Sequence, residues 1–202
     1  MMEIRGEGGY EWDVFVSYKH DPYGHRLMTP WVERLLEHVG FWLSQARGGM
    51  PARVFFDTET IEIGAGWPDE LRRGVLRSRC LLPILSPEYF QSRWCLAEWS
   101  SFTARRRLLP KHADRVIMPV KFCDGTWFPP DANEIQYLDL SEYASLMPAF
   151  WSSSYAQTLE QKIRPFAESL AQAIDDAPSF QDWPFEPREP EPPHRNVGLR
   201  RL

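Results

Sequence analysis

Asp13-Val-Phe-Val-Ser-Tyr18 is a short run of β-branched and aromatic residues between a polar, Gly-containing leader and the polar stretch Lys19-His-Asp-Pro22. It reads as a buried strand. Thr29-Pro30 then opens a helix, with Thr as the N-cap and Pro at the first helical position. Val32, Leu35, Leu36, Val39 and Leu43 keep helical spacing, and Gly48-Gly49 lies past the end. Arg53-Val-Phe-Phe-Asp57 is a second strand, followed by a loop with Gly64 and Gly66 and a short helix from Trp67-Pro68-Asp69 that turns Leu71 and Val75 inward. Arg79-Cys-Leu-Leu-Pro-Ile-Leu85 is a third strand, in which Pro83 favours a strand end or an irregular position.

The alternation continues downstream. Ser86-Pro87 begins a helical stretch whose main body runs from about Ser92 to Arg107. Residues 115–122 form a fourth strand, placed near a sheet edge by Pro119, and residues 135–140 a fifth. A last helix over 155–176 carries Leu159, Ile163, Phe166, Leu170 and Ile174 on one stripe, with Pro165 expected to kink or restart it. Strands alternating with helices imply a mainly parallel sheet covered on both faces. The expected fold is α/β: a flavodoxin-like three-layer arrangement with five strands in the order 2-1-3-4-5. Residues 1–9 are an N-terminal extension and 10–176 the domain. Residues 177–202, with Pro178, Pro184, Pro187, Pro190, Pro192 and Pro193 among charges, are expected to be a linker or disordered tail without a core of its own.

Composition narrows the function classes. The net charge of −5 gives no electrostatic reason to expect nucleic acid or an anionic membrane as partner. No apolar run is long enough for a membrane span and no signal peptide is evident. Cys80, Cys95 and Cys123 are widely spaced without a C-x-x-C pair, which argues for reduced thiols in a cytoplasmic protein rather than a disulfide framework or zinc site. There is no P-loop and no G-x-S-x-G elbow. Gly64-Ala-Gly66 lacks the third glycine of a dinucleotide fingerprint, since residue 69 is Asp. His20, Asp21 and His25 lack a metal-binding spacing, so no metal is expected. A phosphoacceptor site would want carboxylates where Lys19, His20 and Ser86 stand.

In this topology ligands bind outside the carboxyl ends of the strands, at the switch between strands one and three. The loops expected there are 17–22 and 86–94, both rich in polar and aromatic groups. On the helix after strand three, at about 100° per residue, Leu96, Trp99 and Thr103 share a face, while Trp94, Glu98, Ser101 and Arg105 gather on the opposite, solvated one. A Glu on such a face is ordinarily a solvated carboxylate. A Trp one turn before it, in a cleft, also suits a cationic aromatic ligand.

These segments, in order, resemble the TIR (Toll/interleukin-1 receptor) domain family over nearly all of residues 10–176, in the style of its bacterial members. Residues 13–18 resemble the family's first box, and Phe56-Asp57 with the loop to Gly64-Ala-Gly-Trp67 its second strand and BB loop. Ile84-Leu-Ser-Pro-Glu-Tyr-Phe and Ser92-Arg-Trp-Cys-Leu-Ala-Glu98 resemble the third strand and the helix bearing the catalytic glutamate. Val116-Ile-Met-Pro-Val and Ile135-Gln-Tyr-Leu-Asp-Leu resemble the fourth and fifth strands.

The resemblance implies an NAD⁺ glycohydrolase that cleaves the nicotinamide–ribose bond, giving ADP-ribose or a cyclic isomer, in a bacterial defence or signalling system. It places Glu98 as the catalytic residue and Tyr18, Lys19, His20, Trp67 and Trp94 as substrate-binding residues. The second basic position is His20 where the family has Arg. NAD⁺ enters as substrate, so no cofactor is expected. The family's habit of packing BB loops against neighbouring protomers implies self-association. The alternative function in the same family is a non-catalytic interaction module that recruits other TIR domains.

Overall fold

The computed structural model describes residues 9–20, 28–56, 69–111 and 115–188. Its strands are β1 (Trp12–Tyr18), β2 (Val54–Phe56), β3 (Ser78–Leu85), β4 (Val120–Lys121) and β5 (Leu138–Asp139). Its helices are α1 (Met28–Ala46), α2 (Asp69–Arg77), α3 (Arg93–Arg107) and α4 (Ser154–Asp175). All strand pairs are parallel and the order is β2-β1-β3-β4-β5, the arrangement the alternation of elements leads one to expect.

Period-two alternation along the central strands divides the core. Val14, Val16 and Tyr18 of β1, with Cys80, Leu82 and Ile84 of β3, meet α1 and α4. Phe15, Leu81 and Leu85 point the other way, toward α2 and α3. Phe15 stacks on Phe55 of β2, ring centroids 5.0 Å apart, and Gly74 of α2 sits directly on this pair. The helix stripes are those the sequence marks: Val32, Leu35, Val39 and Leu43 on α1, and Leu159, Ile163, Phe166, Leu170 and Ile174 on α4, are all buried.

Several elements differ from expectation. Helix α1 already includes Met28, so Thr29 and Pro30 lie in its first turn, where backbone donors have no intrahelical partner. Pro83 is inside β3 rather than at its end. Leu81 and Leu85 both turn their backbone groups toward β4, so Pro83, midway between them, does too. Its missing N–H falls between the Leu81↔Ile117 bridge and the Ile84↔Val120 pair, where the β3–β4 ladder is already interrupted. Pro119 turns its carbonyl to the Leu138 N–H, so its missing donor falls on the β5 side, and the fourth strand is limited to Val120–Lys121. Helix α4 runs through Pro165 without restarting. Pro165 is exposed, so the carbonyl that loses its donor faces solvent.

The C-terminal segment forms no helix or strand over 177–188, as its prolines lead one to expect. It does not leave the domain, however. Trp183 is 6% exposed, and its indole Nε1 donates to the Tyr10 hydroxyl at 3.1 Å. These residues add no helix or strand, and their aromatic side chains settle on arginines of α2 and α3. Residues 189–202, like the extension before residue 9, lie outside the described residues.

Candidate functional site

The order β2-β1-β3 puts the switch of chain direction between β1 and β3. In register, Ser17 pairs with Pro83 and Tyr18 with Ile84 at the carboxyl ends of these strands. Ser17 continues the row of Phe15, so it faces the α3 side of the sheet. There the apolar row turns polar.

The turn that follows β3 is held by side chains. Ser86 Oγ accepts the Tyr89 N–H at 3.2 Å, and residues Tyr89–Gln91 make one 3₁₀ turn. Ser92 caps α3, its Oγ accepting the Cys95 N–H at 3.4 Å. These two turns set the start of α3 beside the end of β1 and bring Glu98 over Ser17.

The Ser17 hydroxyl donates to Glu98 Oε2. Tyr89 Oη lies 2.8 Å from the same Ser17 Oγ. A serine has one hydroxyl proton, and it goes to the carboxylate, so the tyrosine donates to the serine. Burial, reinforced by Cys95 and Glu98, pushes the Tyr89 hydroxyl well above its ordinary range, so it stays protonated for that role. The Cys95 thiol is likewise pushed up by burial and then by Glu98, and remains neutral.

Glu98 is only 5% exposed, and Ser101 and Arg105 are each 1% exposed. The polar face of α3 is therefore not a solvated one. Its cover comes from distant parts of the chain: Ser17 of β1 over Glu98, and Glu186 and Trp183 over Ser101 and Arg105. Arg105 is held by two carbonyls, Ser78 O at 2.6 Å and Val75 O at 3.0 Å, and burial pulls its guanidinium down to about 10, still charged at neutral pH.

The other expected site residues are distributed around this point. Trp94, one turn before Glu98 on α3, is half-buried, with the Arg93 guanidinium 5.1 Å from its ring centroid. Lys19 and His20 follow directly on β1 and are half-buried. Lys19 is close enough to Cys95 for its charge to act on that thiol. His20 stacks on Tyr18 at 4.3 Å. Tyr18 itself is buried in the α1–α4 core, its ring also against Phe56 at 5.6 Å and its hydroxyl 3.1 Å from Thr29 Oγ1. It thus supports His20 from below. Trp67 and the glycine-bearing loop before it lie outside the described residues, as do Asp21 and His25.

Two members of this cluster, Ser17 and Tyr89, lie in the stretches 17–22 and 86–94 expected at the cleft but are not among the individually expected site residues. The available signal for Ser17 is a hydroxyl that follows Phe15 on the α3-facing row of β1. Among the described residues no three His, Cys, Asp or Glu side chains gather so as to hold a metal ion. All three cysteines are free thiols. No described helix is long and apolar enough to cross a membrane.

Comparison with known proteins finds similar sequences and structures. A family model described as a TIR domain matches residues 14–147, more than half of the chain. The NAD(+) hydrolase TirS of Staphylococcus aureus (strain MSSA476) is 26% identical over 113 residues, which covers 54% of this chain and 34% of that protein. The chain thus spans about a third of that relative's length. Solved structures similar to the chain include the TIR domain of the Toll-related receptor TRR-2 from Hydra magnipapillata, with 19% identity, TM-score 0.41 and coverage of 76% of this chain and 98% of that one. The TIR domains of the activated Roq1 resistosome give 17% identity and TM-score 0.38, with coverage of 81% and 84%.

Proposed function

The chain belongs to the TIR domain family, and from that premise we propose that it cleaves NAD⁺ at the nicotinamide–ribose bond with Glu98 as the catalytic carboxylate. The observation that carries this reading is the buried carboxylate itself, fixed by the Ser17 hydroxyl at the carboxyl ends of β1 and β3. A side chain oriented by a neighbouring donor in a site of low water content suits electrostatic stabilisation of a developing cation. The partial similarity to an NAD(+) hydrolase points the same way.

The chemistry asks little more of the protein. The glycosidic C–N bond breaks with its electron pair going to the nicotinamide nitrogen, which turns a pyridinium into a neutral leaving group. No general acid is needed to protonate it, unlike an ordinary glycosidic oxygen. Glu98 holds the ribose hydroxyls and stabilises the oxocarbenium charge at the anomeric carbon. Water then adds there, losing a proton, and gives ADP-ribose; attack by a nitrogen of the adenine base gives a cyclic isomer instead. In this reading Trp94 stacks on nicotinamide or ribose, with Trp67 in the same role on its loop. Lys19 and His20 take the diphosphate or ribose, with His20 steadied by Tyr18. NAD⁺ is substrate and no cofactor takes part. Self-association through TIR–TIR contacts completes the site, in a reducing cytoplasm that suits three free thiols.

The test is to incubate the purified chain with NAD⁺, with and without a crowding agent, and to follow nicotinamide release alongside oligomer mass. Release that rises with assembly and vanishes in Glu98→Ala, with the fold intact by circular dichroism, supports the reading. Release that persists in Glu98→Ala removes Glu98 from its role. Absence of release in every assembly state makes the chain a non-catalytic interaction module.

A further inference from the structure

Residues 177–188 have no regular structure, yet they lie along α2 and α3 with every aromatic ring set on an arginine. Phe180 meets Arg77 at 4.8 Å, Trp183 meets Arg105 at 4.8 Å, and Phe185 meets Arg72 at 5.4 Å. Phe180 also packs edge-on against Tyr10 at 5.3 Å, and Trp183 bonds to the Tyr10 hydroxyl. Further along, the Glu186 N–H donates to Ser101 Oγ at 2.9 Å, while that hydroxyl donates to Ala97 O at 2.7 Å. Arg188 pairs with Asp131 at 3.7 Å.

Arg105 is the centre of this arrangement. Its guanidinium lies between two rings, Phe102 at 4.1 Å and Trp183 at 4.8 Å, and it donates to the carbonyls of Ser78 and Val75. It therefore ties together α3, the end of α2, the start of β3 and the C-terminal segment. Glu98, Ser101 and Arg105 follow each other along one stripe of α3. At one end of the stripe Glu98 is fixed to β1. At the other, Ser101 and Arg105 are fixed by residues 183–186. A rigid helix transmits a rotation at one end to the other.

We propose that Trp183, clamped on Arg105, is a positioning residue for Glu98, and that residues 177–188 are a strap that holds α3 in register with β1. The claim about Glu98 rests on the catalytic reading above; the mechanical coupling along α3 stands apart from it. Two buried thiols report on that coupling. Cys80 is near enough to Arg105 to feel its charge, at the strap end. Cys95 lies on α3 just before Glu98, at the β1 end. Both thiols are buried, so alkylation requires local opening.

The experiment compares the full chain with Trp183→Ala and Trp183→Phe, following iodoacetamide labelling of each cysteine by peptide mass spectrometry together with NAD⁺ turnover. Trp183→Ala is expected to speed labelling of both Cys80 and Cys95 by about tenfold, and Trp183→Phe, which keeps a ring over Arg105, to restore most of the protection. Turnover in Trp183→Ala is expected to fall in kcat by about tenfold with little change in KM, because the carboxylate is misplaced while substrate binding is left intact. Acceleration confined to Cys80, or absent at both thiols, overturns the proposal. So does opening at Cys95 with kcat unchanged. If the wild-type chain releases no nicotinamide, the catalytic reading fails while the thiol rates still decide whether the strap restrains α3. Should Trp183→Ala not fold, Ser101→Ala removes the acceptor for the Glu186 amide, along with the local donation to the Ala97 carbonyl, and the same two thiols are read.

Discussion

Ser17 at the end of β1 and Glu98 on α3 are joined by a hydrogen bond across the switch point of the sheet. It is a side-chain link between β1 and the helix that bears the buried carboxylate. Because Tyr89 donates to the same serine, one hydroxyl relays restraint from the turn after β3 as well.

Ser17→Ala is therefore expected to destabilise the fold by about 1.5–3 kcal/mol, the range for a buried hydrogen bond to a charged group. The methyl group leaves a buried carboxylate short of one donor and deprives Tyr89 of its acceptor. Urea unfolding at neutral pH measures the loss. A midpoint equal to wild type would show that water replaces the serine at no cost. In the proposed reaction, nicotinamide release should fall as well.

Asp13 gives a pH-dependent case at the opposite end of β1. Burial alone pushes its carboxyl up, but hydrogen bonds from the Arg53 side chain and backbone, with the charges of Arg53 and Arg47, outweigh this and hold it below its ordinary value. A depressed carboxyl pKa contributes stability above its unfolded value, about 4, and that contribution disappears as pH falls through the folded value. Asp13→Asn should thus cost about 1–3 kcal/mol near pH 7. The gap to wild type should narrow steadily below about pH 4. Denaturant midpoints at several pH values read this directly, and a pH-independent gap would contradict it.

Gly74 reverses the usual effect of replacing a helical glycine. Alanine in a helix interior normally adds about 0.5–1 kcal/mol of stability over glycine. Here a Cβ would stand 2.9 Å from Phe15 Cε2 and 3.0 Å from Phe55 Cζ, in a stacked pair with little room to move. Gly74→Ala should lower stability by about 1–3 kcal/mol as an overpacked core. A melting temperature at or above that of wild type would show that the ring pair yields.

The sequence reveals most clearly those elements whose burial is simple. β1 and β3 bury apolar residues on both faces and stand out as runs, while α1 and α4 bury one regular stripe each. Helix α3 obscures its own burial, because the face with Glu98, Ser101 and Arg105 is polar and its cover comes from far away in the chain. Local periodicity cannot register a partner brought in by β1 or by residues 183–186. Pro83 misleads for a related reason: its effect depends on where the neighbouring strand leaves a gap. The C-terminal segment shows both limits. Its prolines correctly announce the lack of helix and strand, whereas Phe180, Trp183 and Phe185 among them are a docking signal that composition averages away.

The gap that accommodates Pro83 divides the sheet into parts of unequal strength. β2, β1 and β3 are stitched by continuous ladders, whereas β4 and β5 are attached by two register pairs each and one isolated bridge. Amide exchange should accordingly find a hierarchy of opening, with residues 116–140 breathing well before β1 and β3 release. The Ser17–Glu98 junction lies on the slow side of that seam. The domain can then yield along its β4–β5 margin, to a proteolytic probe or to a rearranging neighbour, without surrendering the geometry around its buried carboxylate.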